Sequence, residues 1–187
     1  MFYVIEGPNG AGKSTTAELI RSRRGCARVF HSPSEGFNVP KGGRAAPDDY
    51  LEDMKAEVAP FVTLSRKVGT HIIADRWTLS TAIYDALDDP SGEELWRRSV
   101  VWADTYSLLM PDRMELIIPP LPTCVDRVHR RDGWMTPSRA VDIARTWTLY
   151  RRVADWLTRG GPSVRRWVKC DFRVFSDSEE NQGVRMW

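Results

Sequence analysis

The sequence predicts an α/β fold built on an open, five-stranded, largely parallel sheet with helices on both of its faces. Short apolar or β-branched runs alternate with longer segments of helical spacing, which is typical of repeated βα units. A chain of 187 residues suits one domain with a substantial core. With 42% apolar and 28% charged residues, the composition is that of a globular protein and not of a disordered chain.

Five strands are predicted from apolar runs at residues 2–5, 28–31, 71–74, 114–118 and 167–172. The first four of these runs are rich in Val, Ile, Phe and Met, and each is short enough to be a buried strand. Because the segments between them are long enough for crossover connections, the strands are expected to be parallel.

Helices are predicted over residues 13–24 and 51–68, and Pro60 should kink or divide the second one. Ser91 with Glu94 forms a capping-box pattern, and Thr136 before a proline predicts the start of the last helix. In that helix, apolar residues recur at alternating steps of four and three and therefore line one face: Ile143, Trp147, Tyr150, Ala154 and Leu157. We interpret this face as part of the core and not as a binding surface.

Charge and cysteine content exclude several classes of protein. The 27 basic and 25 acidic residues leave a net charge of +2, which does not indicate a polybasic surface for nucleic acid or lipid. The three cysteines are widely spaced and form no C-x-x-C pair, so neither a disulfide framework nor a zinc site is expected. No apolar run approaches the roughly 18 residues of a membrane span. We therefore expect a cytoplasmic protein without membrane association.

The strongest functional motif lies between the first predicted strand and the first predicted helix. Residues 7–14 read G-P-N-G-A-G-K-S, a complete G-x-x-x-x-G-K-S phosphate-binding loop. Its glycines let backbone N–H groups turn towards a phosphate, and the following helix N-terminus favours anions. Lys13 supplies a positive charge, and the Ser14 hydroxyl is placed to ligate Mg²⁺. We predict that a nucleoside triphosphate binds through Gly7, Asn9, Gly10, Ala11, Gly12, Lys13, Ser14 and Thr15.

A carboxylate follows the third predicted strand at the same end of the sheet. Parallel sheets gather their ligands at the carboxyl ends of the strands, so Asp75 is predicted to hold Mg²⁺ through water. A carboxylate at such a position can also be a simple cap. Arg76 follows where motor ATPases place a Glu, and the guanine-binding N-K-x-D motif of GTPases is absent. Neither of these two classes therefore fits well.

Two segments resemble thymidylate kinase and its phage-borne relatives. Residues 2–14 read F-Y-V-I-E-G-P-N-G-A-G-K-S, and residues 75–84 read D-R-W-T-L-S-T-A-I-Y. The second segment is similar to the family pattern D-R-Y-x-x-S-x-x-A-Y, with Trp77 in place of Tyr and Ile83 in place of Ala. The resemblance implies one P-loop NTPase-type, three-layer kinase domain over residues 1–187, with a small lid at about residues 127–136.

In function, the resemblance implies phosphoryl transfer from ATP, with Mg²⁺, to a small-molecule acceptor. The expected acceptor is a pyrimidine deoxynucleoside monophosphate such as dTMP. Dimerisation is common in that family, so a homodimer is expected, although no residue here locates its interface.

The resemblance also implies which side chains meet the acceptor. Arg76 would hold the acceptor phosphate in a bidentate fork. Lys55 and Leu51 stand where the family carries an Arg facing that phosphate and a Phe stacked on the base. Tyr84 and Thr81 occupy positions whose side chains face, in that family, the deoxyribose and the base respectively. The alternatives are a solvated lysine at Lys55 and core packing for Thr81 and Tyr84.

The predicted lid is rich in arginine. Arg127, Arg130 and Arg131 share one helical face and are candidates to close over the phosphates, where arginine stabilises the charge of the transferred group. The alternative is a solvated face paired with Asp126 and Asp132. We expect one or two of the three arginines to act on the nucleotide.

Departures from the family pattern keep two other functions open. Asn9 replaces a family Asp or Glu, and residues 31–35 read H-S-P-S-E where the family has Glu-Pro. A hydroxyl acceptor, in a nucleoside or in a modified base of DNA, would need a carboxylate base, for which Glu35 and Asp75 are candidates. A monophosphate acceptor needs none, and we favour it. A nucleotide-binding module without catalysis is disfavoured by the intact phosphate and metal residues.

Overall fold

The central sheet contains five parallel strands. The structure, a computed structural model, describes residues 1–24, 28–31, 47–86, 88–159 and 170–175. The strands are β1 (Phe2–Glu6), β2 (Arg28–His31), β3 (Ile72–Asp75), β4 (Arg113–Ile117) and β5 (Asp171–Phe175). Their order across the sheet is β2-β3-β1-β4-β5. The predicted α/β class and the five-stranded parallel sheet are confirmed.

Seven helices surround the sheet in the part of the chain that the structure describes. They are α1 (Lys13–Arg24), α2 (Pro47–Glu57), α3 (Ala59–Val68), α4 (Thr78–Asp85), α5 (Gly92–Thr105), α6 (Leu121–Asp132) and α7 (Pro137–Arg159). No helix within these residues is both long enough and apolar enough to cross a lipid bilayer.

Side chains of the central strands alternate between two cores because successive residues of a strand point to opposite faces. Tyr3 and Ile5 pack on one face against α1 through Ala17. Phe2 and Val4 pack on the other face, in a larger core to which α2, α3, α4, α5 and α7 contribute. Helices therefore cover both faces of the sheet, which makes the fold three-layered.

The strand register brings three loops together at one edge. Ile5 of β1 is paired with Asp75 of β3, and Asp75 is also in register with His31 of β2. The strand order reverses at β1, which is where open α/β sheets form a crevice for ligands. The glycine-rich loop after β1 and the Asp-Arg pair at the end of β3 are thus neighbours.

The helix boundaries follow the predicted signals. The predicted helix at residues 51–68 is divided at Val58, and Pro60 lies in the first turn of α3, where its missing N–H has no intrahelical partner to lose. Ser91 accepts the backbone N–H of Glu94 and caps α5. Thr136 accepts the backbone N–H of Arg139 at 3.2 Å, and α7 begins at Pro137.

The position of the fifth strand differs from the prediction. We expected residues 167–172, whereas β5 runs from Asp171 to Phe175, with Phe172 paired with Met114. The side chains of β5 are only partly buried, and Asp171 and Arg173 interrupt its apolar residues, so the strand lacks a continuous apolar run. Residues 160–169, where the predicted strand starts, lie outside the described residues.

Candidate nucleotide-binding site

The loop between β1 and α1 has a backbone that favours glycine, most clearly at Gly7 and Gly10. Gly7 has a φ of 155°, and a Cβ on it would lie 2.3 Å from the carbonyl oxygen of Ile117 at the end of β4. Gly10 has a φ of 80°, and a Cβ there would lie 2.2 Å from the carbonyl oxygen of Cys124 in α6. The loop is therefore packed closely between β4 and α6, and backbone atoms of these two elements leave no room for a side chain at either position.

The N-terminus of α1 opens at this loop. Ser14 and Thr15, in the first helical turn, are exposed, so this end of the helix faces solvent. These N–H groups have no intrahelical partners, and the helix dipole adds positive potential at the same place. The loop and the helix end together form the type of anion site that the sequence predicts.

Lys13 folds back onto the loop and is nearly buried. Its side chain donates a hydrogen bond from Nζ to the carbonyl oxygen of Pro8 at 2.9 Å, and the residue is 7% exposed. Burial and, to a smaller extent, the Arg76 guanidinium lower the pKa of Lys13 to about 7. The pocket therefore favours the charged form of the lysine only weakly. A bound triphosphate, which is negative, would favour the charged form.

Ser14 and Asp75 meet across the edge of the sheet. The Ser14 hydroxyl donates to Oδ2 of Asp75 at 2.5 Å, and Nδ1 of His31 lies 3.2 Å from the same oxygen. The other oxygen, Oδ1 of Asp75, is buried and has no hydrogen-bond partner among the described residues. A carboxylate oxygen of this kind is suited to a cation or to a cation-bound water.

The oxygen atoms of Ser14 and Asp75 are suitable ligands for an Mg²⁺ ion that is bound to a nucleotide. Mg²⁺ prefers hard oxygen ligands and is commonly held by one or two protein oxygens together with phosphates and water. The Ser14 hydroxyl and the Asp75 carboxylate provide such oxygens beside the phosphate loop. Within the described residues there is no cluster of three or more His, Cys, Asp or Glu side chains that would hold a metal ion alone.

Arg76 has an unusual backbone and a well-held side chain. Its φ is 86°, rare for a residue with a Cβ, and its N–H donates to the carbonyl oxygen of Ile5 at 2.9 Å. Nη2 donates to Oδ1 of Asn9 at 2.6 Å, and Nη1 lies 3.4 Å from Oγ of Ser80. The guanidinium carbon is 5.0 Å from the centre of the Tyr84 ring. The guanidinium is thus held beside the phosphate loop.

Glu6 is a site residue that the sequence analysis missed. It is the last residue of β1, is 0% exposed, and accepts hydrogen bonds from the backbone N–H groups of Trp77 and Ser80. Its second oxygen accepts hydrogen bonds from the Ser80 and Tyr150 hydroxyls. Burial raises the pKa of Glu6, while these hydrogen bonds and the Arg76 charge act against that rise. The sequence did contain a signal for this role: Glu6 is an acidic residue at the end of an otherwise hydrophobic strand, directly before the phosphate loop.

The three lid arginines separate into two groups. Nη1 of Arg127 donates to the carbonyl oxygen of Ala11 at 3.1 Å and lies 3.4 Å from that of Gly10, so its guanidinium is at the phosphate loop. Arg130 forms an ion pair with Asp126 at 3.0 Å, and Arg131 forms one with Asp132 at 2.7 Å. The Arg130 pair lies on the exposed side of α6, as the solvated-face alternative describes, whereas Arg131, although exposed, is close enough to Arg76 for their charges to interact.

The structure places the remaining predicted residues in the core, on a helix surface or outside the described residues. Leu51 is fully buried in the larger core, and Thr81 is buried in α4. Lys55 is exposed on α2, with Nζ 4.0 Å from Oε1 of Glu52 on the same helix. Glu35 lies outside the described residues. The structure therefore gathers Lys13, Ser14, Asp75, Arg76, Asn9 and Arg127 at one edge, and leaves Lys55 on a solvated helix surface.

Comparison with known proteins supports the fold. No protein-family model matches this sequence, and no curated protein sequence is significantly similar to it. Among solved structures, a thymidylate kinase from Candida albicans, described as having broad substrate specificity, is similar with a TM-score of 0.62. The match has 17% sequence identity and covers 94% of this chain and 82% of that chain. The chain thus has the α/β fold of a P-loop NTPase, arranged as in that kinase.

Proposed function

We propose that this protein transfers the γ-phosphoryl group of ATP to a deoxynucleoside monophosphate, with a pyrimidine nucleotide such as dTMP as the acceptor. One observation carries the proposal. Arg76 is hydrogen-bonded at 2.6 Å to Asn9 of the phosphate-binding loop, so a guanidinium suited to an acceptor phosphate adjoins the place where donor phosphates would bind. The structural similarity to a thymidylate kinase supports the fold on which this arrangement depends.

The donor half of the site is built from backbone amides and two cationic side chains. The amides of the loop and of the first turn of α1 would hold the β- and γ-phosphates, and Lys13 would move from Pro8 to the phosphates. Arg127 donates to the carbonyl oxygens of Gly10 and Ala11, which stabilises the loop. Mg²⁺, held by Ser14 and Asp75, would neutralise charge on the transferred phosphoryl group.

The acceptor half depends on Arg76. The contacts with Asn9 and Ser80 use two N–H groups of a guanidinium that has five, so donors remain for a phosphate oxygen pair. A monophosphate is already anionic at neutral pH, so no side chain has to remove a proton from it. Catalysis by this chain would consist of alignment and charge stabilisation, which are the main contributions in phosphoryl transfer. The ATP and Mg²⁺ that this reaction requires agree with action in the cytoplasm.

The direct test is an assay of ADP release with ATP and Mg²⁺ across all deoxynucleoside and ribonucleoside monophosphates, nucleosides and single-stranded DNA. We expect ADP release with pyrimidine deoxynucleoside monophosphates. A response only to nucleosides or to DNA would instead identify a hydroxyl acceptor. Tight ATP binding without turnover on any acceptor would identify a non-catalytic nucleotide-binding protein.

Lys13→Ala is the control variant for this assay. The lysine contributes one backbone hydrogen bond to the fold, so the variant should remain folded while it loses transfer by several orders of magnitude. ADP release that survives in this variant would come from a contaminating enzyme or from a different site, and would contradict the proposal.

A further inference from the structure

Helix α4 begins without a cap from its own sequence. Its N-cap residue is Trp77, which makes no side-chain capping hydrogen bond, although the first amides of a helix need partners when they are buried. Glu6, at the end of β1, accepts two of these N–H groups, and that of Ser80 also lies 3.0 Å from the carbonyl oxygen of Trp77. Oε1 of Glu6 accepts the backbone N–H of Trp77 at 2.7 Å and that of Ser80 at 3.2 Å. A residue 71 positions earlier in the chain therefore does what a Ser or Asp usually does locally.

The second oxygen of Glu6 extends the same network to α7. Oε2 accepts hydrogen bonds from the hydroxyls of Ser80 and Tyr150, and the two hydroxyls lie 2.6 Å apart. Burial, followed by the nearby Glu6 charge, raises the pKa of Tyr150 well above its ordinary value, so the phenol stays protonated and donates. Four donors from two helices thus converge on one carboxylate at the end of β1.

This network surrounds the backbone of Arg76. The Arg76 N–H is bonded to the carbonyl oxygen of Ile5, and the N–H of the next residue, Trp77, is bonded to Glu6. Two successive residues of β1 therefore hold the peptide groups on either side of a residue with a φ of 86°. Ser80, which donates to Glu6, also approaches Nη1 of Arg76 at 3.4 Å. A strained conformation persists only where its surroundings determine it, and here Glu6 contributes directly.

We propose that Glu6 is a positioning residue for the acceptor clamp: by capping α4 from β1 and orienting Ser80, it holds Arg76 in the geometry that grips the acceptor phosphate. This inference rests on the proposed function for its substrate, and on the hydrogen bonds above for its mechanism. Glu6 itself touches neither nucleotide. Its removal should weaken acceptor use much more than donor use.

Two substitutions of Glu6 separate its contributions. Glu6→Gln keeps an oxygen for the two backbone amides but replaces the second acceptor by an NH₂ donor, so the Ser80 and Tyr150 hydroxyls must reorient. With ATP, Mg²⁺ and dTMP, we expect the KM for dTMP to rise about 10-fold. Glu6→Ala also removes the helix cap, and we expect a rise of about 100-fold. The KM for ATP should stay within about twofold in both variants.

The matched control is Glu115→Gln. Glu115 is another buried carboxylate of the sheet, on β4, and its Oε1 lies 3.7 Å from Nε of Arg113. This variant should leave both KM values unchanged. Equal rises of the KM values for ATP and dTMP in the Glu6 variants, or the same dTMP effect in Glu115→Gln, would show a general structural effect and overturn the proposal. If Glu6→Ala does not fold, Glu6→Gln decides.

Hydrogen exchange tests the cap without any activity. In the wild-type protein the amide of Trp77, which donates to Glu6, should exchange slowly, and it should exchange at least 10-fold faster in Glu6→Ala, or in Glu6→Asp if the alanine variant is unfolded. Unchanged exchange would overturn the positioning role. A wild-type protein that transfers phosphate to none of the acceptors would contradict the proposed function alone, because the exchange result would still decide the role of Glu6.

Discussion

Nη2 of Arg76 lies 2.6 Å from Oδ1 of Asn9, and this hydrogen bond joins the end of β3 to the phosphate-binding loop. Asn9 is an amide at a position where the family that the sequence resembles carries Asp or Glu. A neutral partner orients the guanidinium without cancelling its charge, whereas a carboxylate would form an ion pair with it. Asn9 therefore adds no further negative charge to those of Glu6 and Asp75, which already act on Arg76.

Arg76→Lys should lower kcat/KM for the acceptor by about 100-fold. Lysine keeps the charge but cannot contact Asn9, Ser80 and a phosphate at once, because it lacks the planar fork. Steady-state kinetics with the acceptor varied at saturating ATP would measure the change. An acceptor profile like that of the wild-type protein would mean that Arg76 serves only the fold.

Arg127 and Arg130 should respond differently to substitution by alanine. Arg127→Ala removes the hydrogen bonds to the carbonyl oxygens of Gly10 and Ala11, and we expect the KM for ATP to rise about 10-fold. Arg130→Ala removes an exposed ion pair with Asp126, and such pairs contribute little, so its kinetics should change less than twofold. The reverse order of effects would show that the lid acts through its solvated side.

Substitution of Tyr84 tests the sugar preference. The centre of the Tyr84 ring lies 5.0 Å from the guanidinium carbon of Arg76. The ring would therefore limit the space next to the acceptor sugar. Tyr84→Ala should reduce the preference for deoxyribonucleotides over ribonucleotides by about 10-fold, whereas Tyr84→Phe, which keeps the ring, should retain it. Competition between dTMP and its ribonucleotide analogue gives the ratio directly. Equal discrimination in Tyr84→Ala would exclude this role.

ATP binding should be accompanied by proton uptake at mildly alkaline pH. Because burial and Arg76 lower the pKa of Lys13 to about 7, we expect Lys13 to be mostly neutral at pH 8 before ATP binds. The negative triphosphate favours the ammonium and raises that pKa, so the lysine takes up close to one proton at pH 8 and little at pH 6. Calorimetric titrations in buffers with different ionisation enthalpies measure this number.

Lys13→Arg is the control for the proton measurement. Its side chain stays charged across this pH range, so ATP binding to the variant should show no uptake at pH 8. A binding enthalpy of the wild-type protein that is independent of the buffer at pH 8 would show that Lys13 is already protonated before ATP arrives.

The features predicted correctly from the sequence are those that depend on residues close together in the chain. Gly7 and Gly10 occupy backbone positions that exclude a side chain, and Pro60 cannot continue a helix, so each residue type indicates its local structure directly. The same is true of the caps at Ser91 and Thr136. Both β2 and β5 are edge strands, and β2 was predicted at its observed bounds; β5 was placed wrongly because the charged residues Asp171 and Arg173 interrupt its apolar pattern.

Contacts between distant residues came only from the tertiary structure. Tyr150 belongs to an apolar stripe that we interpreted as core; its ring is indeed buried, but its hydroxyl meets Glu6 across 144 residues. Arg127 and Arg130 share one helical face in the sequence, yet only Arg127 contacts the phosphate loop. Helical periodicity specifies the face on which a side chain lies. The group that it meets depends on how strands and helices pack, and no short segment encodes that packing.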